Sequence, residues 1–487
     1  MNPKYDGAVV RRFCKRASAT FAASLFLSLC LRIPTRAQDQ PEQSPNMQEM
    51  QKRLAVLENE LLELKRQMAA AQVVKPANVQ PAAQPTAQPA PTAEALVAAA
   101  ADKPVEEEPQ VKGTGSTLDI YGFVMLDSGY NFGVINPNWF DVVRPTQLPS
   151  FPGEYGANGN TYFGVRQTRF GVKSFTPTAL GDLRTIFEFE LFGTGVDAGQ
   201  TTFRLRQAYG ELGHFGAGQT WSPFMDPDVF PNSLEYWGPP GMVFFRNVQV
   251  RWMPIQGPSN VVIALERPGA SADGGIYADR IELANIKGQF KWPNLTGHAR
   301  YAQKWGYVQV GGLLAKLAWV DTNPVTYNLS GTAIGWGVNV SSNLYFTKKD
   351  TGKFSVIYGK GAENYMNDAP VDIGVQNNFS NPVSPIIGVP LPVLGVVSFL
   401  DHTWSDRFTS SIGYSLVNIT NSDAQRPNDF HQGQYALANV LYHPIKKVTI
   451  GGEFQFGRRQ NFTDGYSYND YRMQFSFRYD WNKGFEF

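Results

Sequence analysis

From about residue 116 to the last residue, hydrophobic and polar positions alternate with a period of two. The final stretch "MQFSFRYDWNKGFEF" sets Met473, Phe475, Phe477, Tyr479 and Trp481 on one parity, with Gln474, Ser476, Arg478, Asp480 and Asn482 on the other. "KVTIGGEFQF" does the same with Val448, Ile450, Phe454 and Phe456 against Thr449, Gly451, Glu453 and Gln455. "DLRTIFEFELF" sets Phe187, Phe189 and Leu191 against Arg184, Glu188 and Glu190. A two-residue period is that of an extended strand with two unlike faces. The pattern predicts sixteen strands, near 117–130, 160–175, 181–193, 201–212, 214–223, 244–255, 259–267, 293–303, 307–320, 333–347, 353–363, 396–405, 408–419, 433–444, 447–459 and 468–487. Alternate connections are turn-like ("TPTAL", "GH", "KWG", "SD"), whereas 131–159, 225–243 and 364–395 are long and rich in Gly, Pro and Asn.

A soluble sandwich would need a second layer to cover the apolar faces, and no helical periodicity follows residue 116 to supply one. The same alternation works inside out in a closed sheet, with apolar residues toward lipid and polar ones toward water. The predicted fold is therefore all-β, a 16-stranded antiparallel transmembrane β-barrel. Sixteen strands are enough to enclose an aqueous channel. Lys483 breaks the apolar parity only near the end of the last strand, where a charge would approach the headgroups.

Alternation places Arg169, Lys173, Arg184, Arg204 and Arg206 toward the lumen, and Arg246 and Arg251 follow the loop at 222–242. On the lipid face each cation would cost about 2–4 kcal/mol at mid-membrane, so the inward reading is the economical one. Cationic side chains along one wall would attract carboxylates, which guanidinium binds in bidentate fashion. The opposing acids are Glu188 and Glu190 on the third strand and Asp226, Asp228 and Glu235 in the loop "SPFMDPDVFPNSLEYWGPPGM". They would pair with the arginines and set a field across the pore. The Pro, Gly and aromatic content of that loop suits an ordered segment folded inward to narrow the channel. Against this stands a blander reading, in which the charges only hydrate the lumen and brace the loop.

The N-terminal part differs. Residues 1–37 read as a secretory signal peptide, with Arg11, Arg12, Lys15 and Arg16 before the apolar "ASATFAASLFLSLCL" and "TRA" at the expected cleavage site. In 38–72, Met47, Met50, Leu54, Leu57, Leu61, Leu64 and Met68 alternate by three and four, the a and d positions of a heptad. Arg53 with Glu58 and Glu60 with Lys65 favour parallel self-association, and leucine at both a and d leaves the strand number open. Residues 73–115 form an Ala/Pro/Gln-rich linker too poor in apolar residues to fold. The barrel domain occupies 116–487.

Composition narrows the functional classes. The 487 residues carry 43 Lys+Arg against 42 Asp+Glu, which gives no basic stripe for nucleic acid. Both cysteines, Cys14 and Cys30, fall in the signal segment, so the exported chain is expected to have no disulfide and no cysteine metal site. Five scattered histidines and no Gly-x-Ser-x-Gly motif argue against an enzyme such as an outer-membrane lipid hydrolase, and no cofactor or metal is expected. A barrel that merely tethers the outer membrane to the periplasm through the coiled coil is the other alternative, and conductance would separate it from a channel.

"LDIYGFVMLD" (118–127), "RQTRFGVK" (166–173), "RLRQAYGELG" (204–213), "GQTWSPFMDPD" (218–228) and "PNLTGHARYAQKWGYVQVGGLLAKL" (293–317), with the terminal Phe487, resemble DcaP-like outer-membrane porins. The resemblance covers essentially all of 116–487, and the coiled coil with its spacer is similar to that family's N-terminal extension. It implies a homotrimer of barrels in outer-membrane lipid, with the N-terminal extension in the periplasm. It further implies Phe487 as the signal to the barrel-assembly machinery, and passage of small anionic solutes such as dicarboxylates. In the first strand, Phe123 or Val124 falls where many porins place a lumen charge.

Overall fold

The computed structural model describes residues 115–486. The expected signal peptide, the heptad segment, the expected linker as far as residue 114, and Phe487 lie outside the described residues. The described chain begins with β1 (Thr117–Asn131), β2 (Asn160–Gly164), β3 (Arg169–Thr178), β4 (Gly181–Phe192), β5 (Thr201–Leu212) and β6 (Phe215–Trp221). It continues through β7 (Arg246–Ile255), β8 (Asn260–Glu266), β9 (Ile286–Gly288), β10 (Asn294–Gln303), β11 (Gly306–Asp321), β12 (Gly331–Tyr345) and β13 (Asp350–Lys360). It ends with β14 (Ile373–Asn377), β15 (Ile386–Pro390), β16 (Pro392–Ser405), β17 (Phe408–Ile419), β18 (Phe430–Ile445), β19 (Val448–Asn461) and β20 (Ser467–Glu486).

These strands make sixteen staves. β1 pairs with both β2 and β3, so those two form one interrupted stave, and β11 likewise pairs with both β9 and β10. β14 and β15 pair only with each other, in a hairpin within the loop after β13. All sheet neighbours are antiparallel, and β1 meets β20 from Thr117↔Glu486 through Asn131↔Arg472. That pairing closes the sheet and removes its edges. The seven connections at one end, for example 213–214 and 406–407, are two to four residues long, while 132–159, 222–245 and 361–391 lie at the other. Stave number, antiparallel order and turn–loop asymmetry all follow the alternation in the sequence. No helix among the described residues is long and apolar enough to cross a membrane; the crossing elements are strands.

The last strand shows how the pattern is used. Phe475, Phe477 and Tyr479 are 56, 47 and 46 % exposed on the outer surface, whereas Gln474, Ser476 and Arg478 are buried inside. Next to the short turns the outer surface carries Phe215, Trp252, Trp305, Phe346, Trp404 and Phe408, an aromatic rim of the kind found at a membrane interface. In β1 the parity resolves as Phe123 inward and Val124 outward.

The interior departs from a plain column of water. On β16, Val393, Val397 and Phe399 point inward and are buried, although Leu394, Val396 and Leu400 cover the outer face. Val417 and Ile419 on β17 continue this apolar inner wall, and Phe224, Met225, Phe230, Met242 and Val243 of the loop after β6 pack into the same cluster. Inward apolar residues are stable here because a loop, and not water, covers them.

That loop is bonded to the opposite wall along its length. The Phe230 carbonyl accepts from Lys353 Nζ, and Asn232 N donates to Asp401 at 3.3 Å. Leu234 N donates to Glu453 at 2.7 Å, and Gly241 N to Ser415 at 2.9 Å. A Cβ on Gly241 would come 2.1 Å from the Leu416 carbonyl, and one on Gly395 would come 2.3 Å from the Gly241 carbonyl. Two glycines therefore let loop and wall meet backbone to backbone.

Candidate functional site

The charged cluster of the lumen is assembled by cross-strand neighbours. Arg169 on β3 lies opposite Glu190 on β4, and Glu190 lies opposite Arg204 on β5. Register shifts in the β4–β5 pairing bring Arg206 alongside both acids of β4. Its Nε bonds Glu188 at 2.7 Å and its Nη1 bonds Glu190 at 2.6 Å. Arg169 reaches Glu190 at 3.4 Å, Arg204 at 3.5 Å, and Arg246, at the start of β7, at 3.9 Å. Tyr236 from the inward loop donates to Glu190 and accepts from Arg206 Nη1 at 3.2 Å. Tyr121 donates to Glu188 at 2.8 Å. Four guanidiniums thus surround two carboxylates, which leaves the group net positive.

Its members differ in access. Glu190 and Arg206 are fully buried, whereas the Arg204 side chain is 29 % exposed toward the lumen. Arg246 is 7 % exposed, lies over Trp221 at 4.6 Å, and has no hydrogen-bond partner at Nη1. Arg204 and Arg246 line a cavity of about 460 Å³ together with Arg144, Trp139, Tyr236, Trp237 and part of the segment after β13, Glu363 and Asn367 among it. Arg144 is held between the Trp139 and Trp237 rings, 4.1 Å from each, and bonds Asp368 at 2.8 and 2.9 Å. Three long loops converge there, since Trp237 Nε1 also donates to the Asn367 carbonyl at 2.8 Å and Phe244 N to that of Tyr365 at 2.9 Å.

The other sequence-selected residues sit elsewhere. Lys173 lies over Tyr121 at 5.1 Å on the β3 wall, and Arg184 is near the turn end beside Asp182. Arg251 stacks on Tyr209 at 5.0 Å and donates to the Trp221 carbonyl. Asp226 and Asp228 pair with Arg300 on β10, not with the arginines of β3–β5. Asp226 also accepts from Tyr307 at 2.8 Å and Ser341 at 2.6 Å. Glu235 does not line the lumen. It is fully buried, accepts from Val143 N at 3.0 Å and from Gly238 N, and burial pushes its carboxyl up to about 8. It faces the backbone of two loops because their amides would otherwise have no acceptor there.

Sequence reasoning missed Arg144, Arg166, Arg300 and Glu363. Arg300 stands on the polar parity of "GHARYAQ", so its signal was present in the alternation. Arg166 lies in the break between β2 and β3, where it bonds Asp141 and the Gly193 carbonyl and stacks 3.8 Å from Phe192. Arg144 and Glu363 belong to long loops, where no periodicity marks a direction. Among the described residues no cluster of His, Cys, Asp and Glu could hold a metal ion.

A family model of the DcaP outer membrane protein matches residues 98–481. The chain belongs to the DcaP outer membrane protein family. Among solved structures, the DcaP outer membrane channel of Acinetobacter baumannii is similar in fold, with a TM-score of 0.62 at 20 % identity over 75 % of this chain and 98 % of that one. A loop L8 deletion mutant of OmpT of Vibrio cholerae (13 % identity, TM-score 0.46) and the anion-selective porin of Comamonas acidovorans (10 %, 0.47) each align over 75 % of this chain and all of theirs. No curated protein sequence matches the chain. With the fold above, this DcaP-family chain is an outer-membrane protein of porin architecture.

Proposed function

We propose that the protein is a diffusion channel for small solutes, with a preference for anionic, dicarboxylate-like compounds. The observation that carries the reading is the excess of guanidinium over carboxylate at Glu188 and Glu190, with Arg204 left partly open to the lumen. A preorganised cationic surface narrowed by an inward loop would raise the local concentration of carboxylates and reject cations. The long loops would face the cell exterior and the short turns the periplasm. Three copies would assemble, with 38–72 forming a periplasmic coiled coil and Phe487 read by the assembly machinery.

Reconstitution into planar bilayers under a KCl gradient tests this. Expected is a reversal potential of the sign that chloride permeation gives, with the current reduced by added dicarboxylates. Cation preference with no block by any dicarboxylate would overturn the anion reading, and absence of conductance would favour a tethering barrel.

A further inference from the structure

Three lysines on the outer surface of β9–β13 have no part in the channel. On β11, Leu314 and Lys316 are exposed while Leu313, Ala315 and Leu317 are buried inside, so Lys316 points outward. Lys360, at the loop end of β13, is exposed on the same parity as Val356 and Tyr358. The register sets Ile334 opposite Lys316 and Trp336 opposite Lys360, so the two lysines flank β12, their backbones roughly 10–12 Å apart. Lys287 on β9 lies opposite Val320, farther along the same outer face, and its Nζ donates to the Ala284 carbonyl at 3.1 Å. No carboxylate shares the outward parity of β10–β13 at this level, so no acid on that face is placed to neutralise the lysines.

These positions lie at an interface and not at mid-membrane. Trp305 and Phe346 mark the turn-side rim, and the tilted strands rise roughly 25–30 Å from there to Lys316 and Lys360, the height of a barrel's apolar band. Trp336 and Tyr358 meet edge-on at 5.8 Å beside Lys360, as aromatic side chains do where hydrocarbon ends. A single lysine at this level costs little, but three on one face without an acid make a positive patch that attracts an anionic headgroup.

We propose that this patch binds the phosphates of the phosphorylated glycolipid of the outer leaflet, lipid A, on the outside of the barrel. One phosphate sits between Lys316 and Lys360 over Trp336, the other approaches Lys287, and the acyl chains run along Leu314, Ile334 and Val338. Lysine suits this role because its ammonium binds phosphate as a point charge, without the fixed geometry of a guanidinium fork. The inference rests on the orientation above, with the long loops toward the cell exterior, and not on which ions the channel conducts.

The test is native mass spectrometry of the full chain in detergent, titrated with diphosphoryl lipid A, dephosphorylated lipid A, phosphatidylglycerol or inorganic phosphate. Expected is half-occupancy by diphosphoryl lipid A at about a tenfold lower concentration than by any of the other three, the gain of one charge-assisted hydrogen bond. Combining Lys316→Gln with Lys360→Gln should abolish that advantage and leave single-channel conductance at the wild-type value, since neither side chain faces the lumen. The wild-type comparison stands by itself if the double variant fails to insert. Equal binding of any of the other three probes, or an advantage that survives in the double variant, would overturn the proposal. So would a trimer lost with the two lysines, which would put a second copy on this face. Orientation is read separately: Phe379→Cys, 69 % exposed between β14 and β15, should react with a membrane-impermeant maleimide on intact cells. No labelling there sinks the orientation, whatever the lipid titration shows.

Discussion

Arg206 has no exposed surface and spends its guanidinium on two carboxylates from the neighbouring strand. A buried ion group of this kind adds little net stability, since desolvation opposes the attraction, but it fixes geometry because removing one member strands the others. Its consequence is positional: with Glu188 and Glu190 occupied from one side, Arg204 keeps capacity for a solute. Glu235 is the contrasting case, an acid that burial holds at about 8 against an ordinary value of 4.5. Below pH 4.5 the folded and unfolded chains are both protonated there. As pH rises from 4.5 to about 8 the unfolded chain loses the proton first, so stability falls by up to about 1.4 kcal/mol per pH unit, and the loss levels off above 8. Glu235→Gln cannot ionise and should flatten that part of the profile. Thermal unfolding in detergent at pH 5 and pH 8.5 checks this: an equal drop in wild type and variant would show that other acids carry the pH dependence.

At the scale of elements, the inward loop is held by shape as much as by hydrogen bonds. Gly395 on β16 leaves the space that the Gly241 carbonyl enters. Gly395→Val should push the loop off the β16–β17 wall, uncover Val397 and Phe399, and cost about 1–3 kcal/mol through overpacking. Single-channel conductance should then rise, because the detached loop no longer narrows the lumen; a variant with unchanged conductance would show that the loop is not the constriction. The staves were legible because each must present apolar atoms to lipid and polar atoms inward, and such a constraint writes itself into every second residue. The inner wall of β16 escaped that logic, since Val393, Val397 and Phe399 answer to the loop and not to water. The same reason hid Arg144 and Glu363. Their directions are set by loop–loop contacts such as Trp237 with Asn367, and no local period encodes a contact between segments 130 residues apart.

Across the whole molecule the formal charge is only +1, so any ion preference must come from placement and not from total charge. Arg144, Arg169, Arg204, Arg206 and Arg246 meet Glu188, Glu190 and Asp368 within one region of the lumen, and the balance there is positive. A field from so compact a source reaches through water only about a Debye length, roughly 10 Å at 0.1 M salt and 3 Å at 1 M. The chloride-to-potassium permeability ratio should therefore fall toward one as KCl is raised from about 0.1 to 1 M at a fixed gradient ratio. Arg204, the most open of the cluster at 29 % exposure, should set most of the remaining preference. In Arg204→Gln the ratio at low salt should approach the value that wild type shows at high salt. A ratio that does not change with salt would mean that ions are sorted by size at the loop, and the arginines would then be structural members of the wall alone.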